Sequence, residues 1–139
     1  MNEKPSQSLT NLGAALERLA EALQESTENK LAIDGTIQRF EFVIELYWKT
    51  FKRLLIWEGI QTQTPREALQ RAYQAGWLAD ETAWLQMLRD RNQTSHLYNE
   101  AMARKIYEHI KQYFPEMERT YQFLRQQYQE NRADEGLAE

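Results

Sequence analysis

The sequence predicts an all-α fold: an antiparallel up-and-down bundle of three long helices and two shorter ones. Three observations predict it. Apolar residues recur at alternating steps of three and four, the period of a helix with one buried face. No segment shows the period-two alternation of a half-buried strand. Among 139 residues there are only five glycines and three prolines, and Gly59, Pro65 and Gly76 fall at boundaries of the periodic segments.

The first segment carries Leu9, Leu12, Leu16, Leu19 and Leu23, one stripe of an amphipathic helix, and the polar run Thr27 to Lys30 ends it. The second opens at Asp34 as N-cap. Its stripe is Ile37, Phe40, Ile44, Tyr47, Phe51 and Leu54, widened by Phe42, Val43, Trp48 and Leu55. A helix this apolar requires partners on more than one side, within the bundle or across a dimer. Gly59 stops it. Thr64 then caps a short helix with Pro65 at its first position, and Glu67 completes a capping box. This helix ends near Gly76. Asp80 caps a fourth, with Trp84, Met87 and Leu88. The last begins near Asn99 and carries Ile106, Ile110, Tyr113, Met117, Tyr121, Leu124 and Tyr128. Pro115 inside it removes a hydrogen bond and predicts a kink or break. The expectation is one domain over residues 1–139, with residues 1–8 and 131–139 as disordered tails.

Composition excludes several classes of function. There is no cysteine, so disulfides, thiolate metal sites and cysteine nucleophiles are out. With two histidines, His96 and His109, no metal site is expected. The net charge of −4 argues against a general nucleic-acid coat protein, although a local basic patch such as Lys49, Lys52 and Arg53 is compatible with it. No apolar signal core and no run of membrane-spanning length occurs, so a cytoplasmic location away from the membrane is expected. There is no glycine-rich phosphate loop and no paired aspartate metal motif, so no cofactor is expected and the chain is not itself read as a nucleotide-transferring enzyme.

The segment Arg91-Asn92-Gln93-Thr94-Ser95-His96-Leu97-Tyr98 is the candidate site. An imidazole moves protons near neutral pH, and a guanidinium holds a phosphate by parallel hydrogen bonds. Together, Arg91 and His96 suffice for metal-free RNA cleavage by a ribose 2′-OH. On one straight helix the two would lie about 140° apart. They converge only if the chain turns between them or a second subunit supplies one of them. The bland alternative is a helix-terminal Arg91 paired with a carboxylate and a His96 satisfied by a backbone carbonyl. Asn92 and Ser95 accompany the pair. Arg39 and Glu41 flank Phe40, either as cleft residues or as surface ion pairs. His109, beside Ile110, reads as a partly exposed structural residue. Phe40, Tyr47, Trp48 and Phe51 read as core rather than a base-stacking platform.

The wider wording is more specific. Phe40-Glu41-Phe42, Glu45-Leu46-Tyr47-Trp48-Lys49, Glu58-Gly59-Ile60, Thr64-Pro65-Arg66 and Trp84 through Met87 to Arg91-Asn92-Gln93-Thr94-Ser95-His96-Leu97-Tyr98-Asn99-Glu100 occur in that order. From Leu9 to Leu124 the chain resembles the HEPN superfamily, most closely the nucleotidyltransferase substrate-binding proteins that include HepT-like toxins. The resemblance implies a homodimer with the Arg–His motifs facing a cleft near the two-fold axis. It implies a minimal nucleotidyltransferase, encoded nearby, as partner. It implies a metal-independent ribonuclease acting through Arg91 and His96, with RNA as substrate and Tyr98 as the acceptor of silencing AMP units. It equally accommodates a non-catalytic subunit that presents substrate to the transferase.

Overall fold

Several helices begin or end where local chemistry satisfies their free backbone groups. The computed structural model describes residues 5–96 and 99–138, with side chains as far as 128. Among these residues there are five α-helices: α1 Pro5–Leu23, α2 Lys30–Trp57, α3 Pro65–Gln74, α4 Glu81–Gln93 and α5 Glu100–Ala138. A 3₁₀ turn, Thr94–His96, follows α4, and there is no strand among the described residues.

The caps follow the expected chemistry with one correction. Thr64 Oγ1 accepts from the Glu67 amide and Asp80 Oδ1 from the Ala83 amide, both at 3.1 Å. Asn99 Oδ1 accepts from the Met102 amide at 2.9 Å. α2, however, is capped by Asn29, whose Oδ1 accepts from the Leu31 amide, not by Asp34. Asn caps as well as Asp, and the earlier start adds a full turn to the helix. Gly59 and Gly76, with φ of 86° and 85°, close α2 and α3. The amide of Ile60 reaches back to the Leu55 carbonyl and that of Gly59 to Ile56, and the same paired pattern joins Trp77 to Ala72 and Gly76 to Tyr73. A left-handed residue is required at this position, and glycine adopts it without strain.

Three further boundaries differ from the sequence expectation. α1 already includes Pro5, inside the segment read as a tail, and Ser6 and Ser8 are buried. α5 continues past Glu130 to Ala138, through a stretch rich in good helix formers. Pro115 does not break α5, which runs through it as one helix. The turn around Pro115 is held by tertiary contacts. Tyr47, fully buried on α2, donates its hydroxyl to the Met117 carbonyl, and Glu116 binds the start of α4.

α2 is the central element and packs against α1, α3, α4 and α5. That explains its apolar breadth: Phe40, Val43, Ile44, Tyr47, Phe51, Leu54 and Leu55 are all fully buried. Trp84 of α4 meets Tyr47 and Phe51 edge-on, with ring centroids 4.7 and 5.5 Å apart. This geometry favours the ring quadrupoles as well as burying area. The leucine stripe of α1 and the Ile106–Ile110–Met117–Leu124 stripe of α5 close the same core. Phe42 does not join it and is 58% exposed. Among the described residues no helix is long and apolar enough to cross a membrane.

Candidate functional site

Thr94 ends α4 and so shapes the site. Its amide bonds the Arg91 carbonyl in the i to i+3 manner, which tightens the chain into the 3₁₀ turn. Its hydroxyl lies 2.7 Å from that same carbonyl and 2.5 Å from Glu41 Oε2. With one proton, the hydroxyl donates to one of the two at a time.

The turn does not bring Arg91 and His96 into one cleft. Arg91 lines a cleft of about 640 Å³ between α1, α2 and α4, with Arg18, Arg39, Glu41, Phe42 and Glu45. His96 lines a different one of about 670 Å³ between α4 and α5, with Arg89, Asp90, Lys105, His109 and Tyr113. Asn92 is exposed and lines a third hollow with Arg66 and Arg89. Ser95 is exposed on the 3₁₀ turn. Tyr98 lies outside the described residues.

Arg91 is held between two carboxylates. Its Nη1 is 3.5 Å from Glu41 Oε2, and its Nε is 3.5 Å from Glu45 Oε1. The Nε is buried and makes no well-aligned hydrogen bond. Glu45 is fixed in turn by the Trp48 indole, which donates to it at 3.1 Å. The carboxylate-paired alternative for Arg91 is therefore realised. Arg39 both lines the cleft and is tied down: its Nη1 donates to the Arg18 carbonyl at 2.5 Å and lies 3.9 Å from Glu21. Phe40, Tyr47 and Phe51 are core, as their spacing predicted, whereas Trp48 is half-buried.

The second cleft holds groups that sequence spacing did not assemble. Asp90 is 6% exposed and accepts from the Tyr113 hydroxyl at 2.5 Å. His109 Nδ1 lies 2.9 Å from the same carboxylate oxygen, Oδ2. Burial and the bond to Asp90 push the Tyr113 phenol well above its ordinary range, so it stays a donor. The only trace of this cluster in the sequence is that Asp90 lies one turn after Met87, on the edge of the apolar face of α4. Glu45 was likewise missed as a partner of Arg91, because that role depends on how α4 crosses α2. Among the described residues, no group of three or more His, Asp or Glu is arranged to hold a metal ion.

Residues 7–126 match the family model described as "Nucleotidyltransferase substrate binding protein like". The chain belongs to this nucleotidyltransferase substrate-binding family. The match spans both clefts and the string from Arg91 to Tyr98. One relative, from Haemophilus influenzae, is named probable ribonuclease HepT. It is 33% identical over 112 residues, which cover 77% of each chain. Two solved structures share the fold. One from Thermus thermophilus has a TM-score of 0.76 and 32% identity, covering 82% of this chain and 98% of its own. One from Haemophilus influenzae is described as the fold of a substrate binding domain of a nucleotidyltransferase. It has a TM-score of 0.74 and 30% identity, covering 84% and 98%. The substrate-binding family assignment thus agrees with the resemblance read from the sequence, and so do the five helices.

Proposed function

We propose that this chain is the partner of a minimal nucleotidyltransferase and a metal-independent ribonuclease that the partner silences. The observation that carries the enzymatic half is the second cleft. It holds an exposed imidazole, His96, beside two cations, Arg89 and Lys105, and a protein one-third identical is named a probable ribonuclease. In the reaction a ribose 2′-OH attacks the adjacent phosphorus, His96 moves a proton, and a guanidinium offsets charge on the crowded phosphate. Arg91 is that guanidinium, contributed by the second copy of a homodimer, because within one copy it lines the other cleft. Silencing adds AMP to the phenolic oxygen of Tyr98, with pyrophosphate leaving ATP. The family name supports the association with a transferase.

A non-catalytic substrate-binding subunit is the second reading. It is favoured by the engagement of Arg91 with Glu41 and Glu45, two carboxylates that more than offset the charge of that one guanidinium. One experiment separates them. The wild-type chain, treated with chelator, is expected to cleave RNA. His96→Ala and Arg91→Ala are each expected to lose at least about 100-fold of that activity. Incubation with the neighbouring transferase and ATP should abolish it and leave AMP on Tyr98 by peptide mass analysis. Cleavage that persists in both variants overturns the assignment. An inert wild-type chain that still binds the transferase establishes the second reading.

A further inference from the structure

Cleavage by a neighbouring hydroxyl needs two proton movements. The attacking 2′-OH loses a proton, and the departing 5′-oxygen gains one. The Arg91-to-Tyr98 string supplies a single imidazole. The cleft that His96 lines contains a second, His109, from α5.

His109 is held as a proton-transferring imidazole is held. Its Nδ1 faces Asp90 Oδ2 at 2.9 Å, so a carboxylate fixes the tautomer and the ring orientation. Asp90 is itself fixed by the Tyr113 hydroxyl and is nearly sealed from solvent. Nε2 carries no hydrogen bond among the described residues, and the side chain is 34% exposed. The open second nitrogen leaves the ring able to exchange a proton with a ligand in the cleft. The charged and titratable groups that line the cleft with His109 are Asp90 and Arg89 from α4, His96 after it, and Lys105 and Tyr113 from its own helix. Two fixed cations against one carboxylate suit an anionic phosphodiester.

We infer that His109, positioned by Asp90, is a second proton-transfer group for phosphodiester cleavage, sharing the two transfers with His96. This rests on the nuclease reading above. One imidazole takes the 2′-OH proton as the 2′-oxygen bonds to phosphorus. The P–O5′ bond breaks, and the other, imidazolium, gives its proton to the 5′-oxygen. The products are a 2′,3′-cyclic phosphate and a free 5′-hydroxyl. Solvent exchange then restores both rings.

The test uses His109→Asn in the full chain. Asn keeps an N–H donor for Asp90 but cannot carry a proton. Assayed on an oligoribonucleotide that the wild-type chain cleaves, the variant is expected to fall at least about 100-fold, with one limb of the rate–pH profile lost and the melting temperature kept. A substrate with sulfur in place of the 5′-bridging oxygen has a leaving group that needs no proton. It should restore the rate of one variant, His109→Asn or His96→Asn, and not the other. Full activity of His109→Asn, in a chain that His96→Ala inactivates, overturns the inference and leaves the nuclease reading standing. Sulfur rescue of neither variant also overturns the inference. Absence of cleavage by the wild-type chain overturns both.

Discussion

At the scale of the residue, the clearest feature is a cation held by two anions. Arg91 is about one-third exposed, as are Glu41 and Glu45, so neither ion pair is deeply buried and each is partly screened. Their consequence is competition. A phosphate approaching Arg91 meets one guanidinium already shared between two carboxylates, and it must displace at least one of them. Neutralising the carboxylates should therefore strengthen polyanion binding. Glu41→Gln and Glu45→Gln are each expected to tighten single-stranded RNA binding by roughly 3- to 10-fold at low salt, an effect that fades as salt rises. Filter binding across a salt series checks it, and unchanged or weaker binding would place Arg91 away from the phosphate. This pairing was only half legible in the sequence. Arg91 was visible as a helix-terminal cation with a carboxylate partner as one option. Which carboxylate it meets depends on how α4 crosses α2, and no local pattern encodes that. The Asp90–His109–Tyr113 cluster was hidden for the same reason, since its members lie on two helices 19 and 23 positions apart.

At the scale of the element, Glu116 decides how the short helices sit on the long ones. Its Oε2 accepts from the Ala79 and Asp80 amides at 3.1 and 3.3 Å and from the Trp84 indole at 3.0 Å. Arg119 braces it through two bonds of 3.0 Å. One carboxylate thus satisfies the free amides at the entrance to α4 and the only polar atom of its buried Trp84. Glu116→Ala leaves that indole N–H unpaired in the core and is expected to cost about 1–3 kcal/mol by denaturant melting at neutral pH. Burial alone would raise the Glu116 pKa, but the bonds from Arg119, Trp84 and Ala79 outweigh it and hold the carboxyl below its ordinary value. A carboxyl whose folded pKa is depressed contributes stability above its unfolded pKa and loses it as pH falls through the folded one. The gap between wild type and Glu116→Ala should therefore narrow below about pH 4. A gap that stays constant from neutral pH to about pH 3 would show that the charge is immaterial. The helices themselves were legible because capping residues and glycine stops act locally. The Asn29 cap was missed because Asp34 is an equally good cap four residues into the same helix. Of the kink or break expected at Pro115, the break does not occur, and the contacts made by Tyr47 and Glu116 that hold the next residues are tertiary.

At the scale of the whole molecule, the two motif residues line different clefts of one chain, and this bears on assembly. A self-sufficient site would need the chain to rearrange. A composite site needs only a second copy. The outer face of α2 offers a place for one: Phe42, 58% exposed, lines the Arg91 cleft itself, so a copy docking there would bury an aromatic side chain and close the cleft together. In the proposed homodimer a two-fold interface would be self-complementary, so two identical sites would form at once, each with Arg91 from one copy and His96 from the other. Light scattering at micromolar concentration is expected to give twice the chain mass, and Phe42→Asp to reduce it to one. Mixing then tests the site directly. Arg91→Ala and His96→Ala chains are each expected to be inactive alone. Unfolded together and refolded at equal amounts, half of the dimers are mixed, and each mixed dimer has one site with both residues intact. Cleavage should return to about a quarter of the wild-type rate. If Arg91 and His96 serve the same phosphate within one chain, every copy in the mixture lacks one of them and no activity returns.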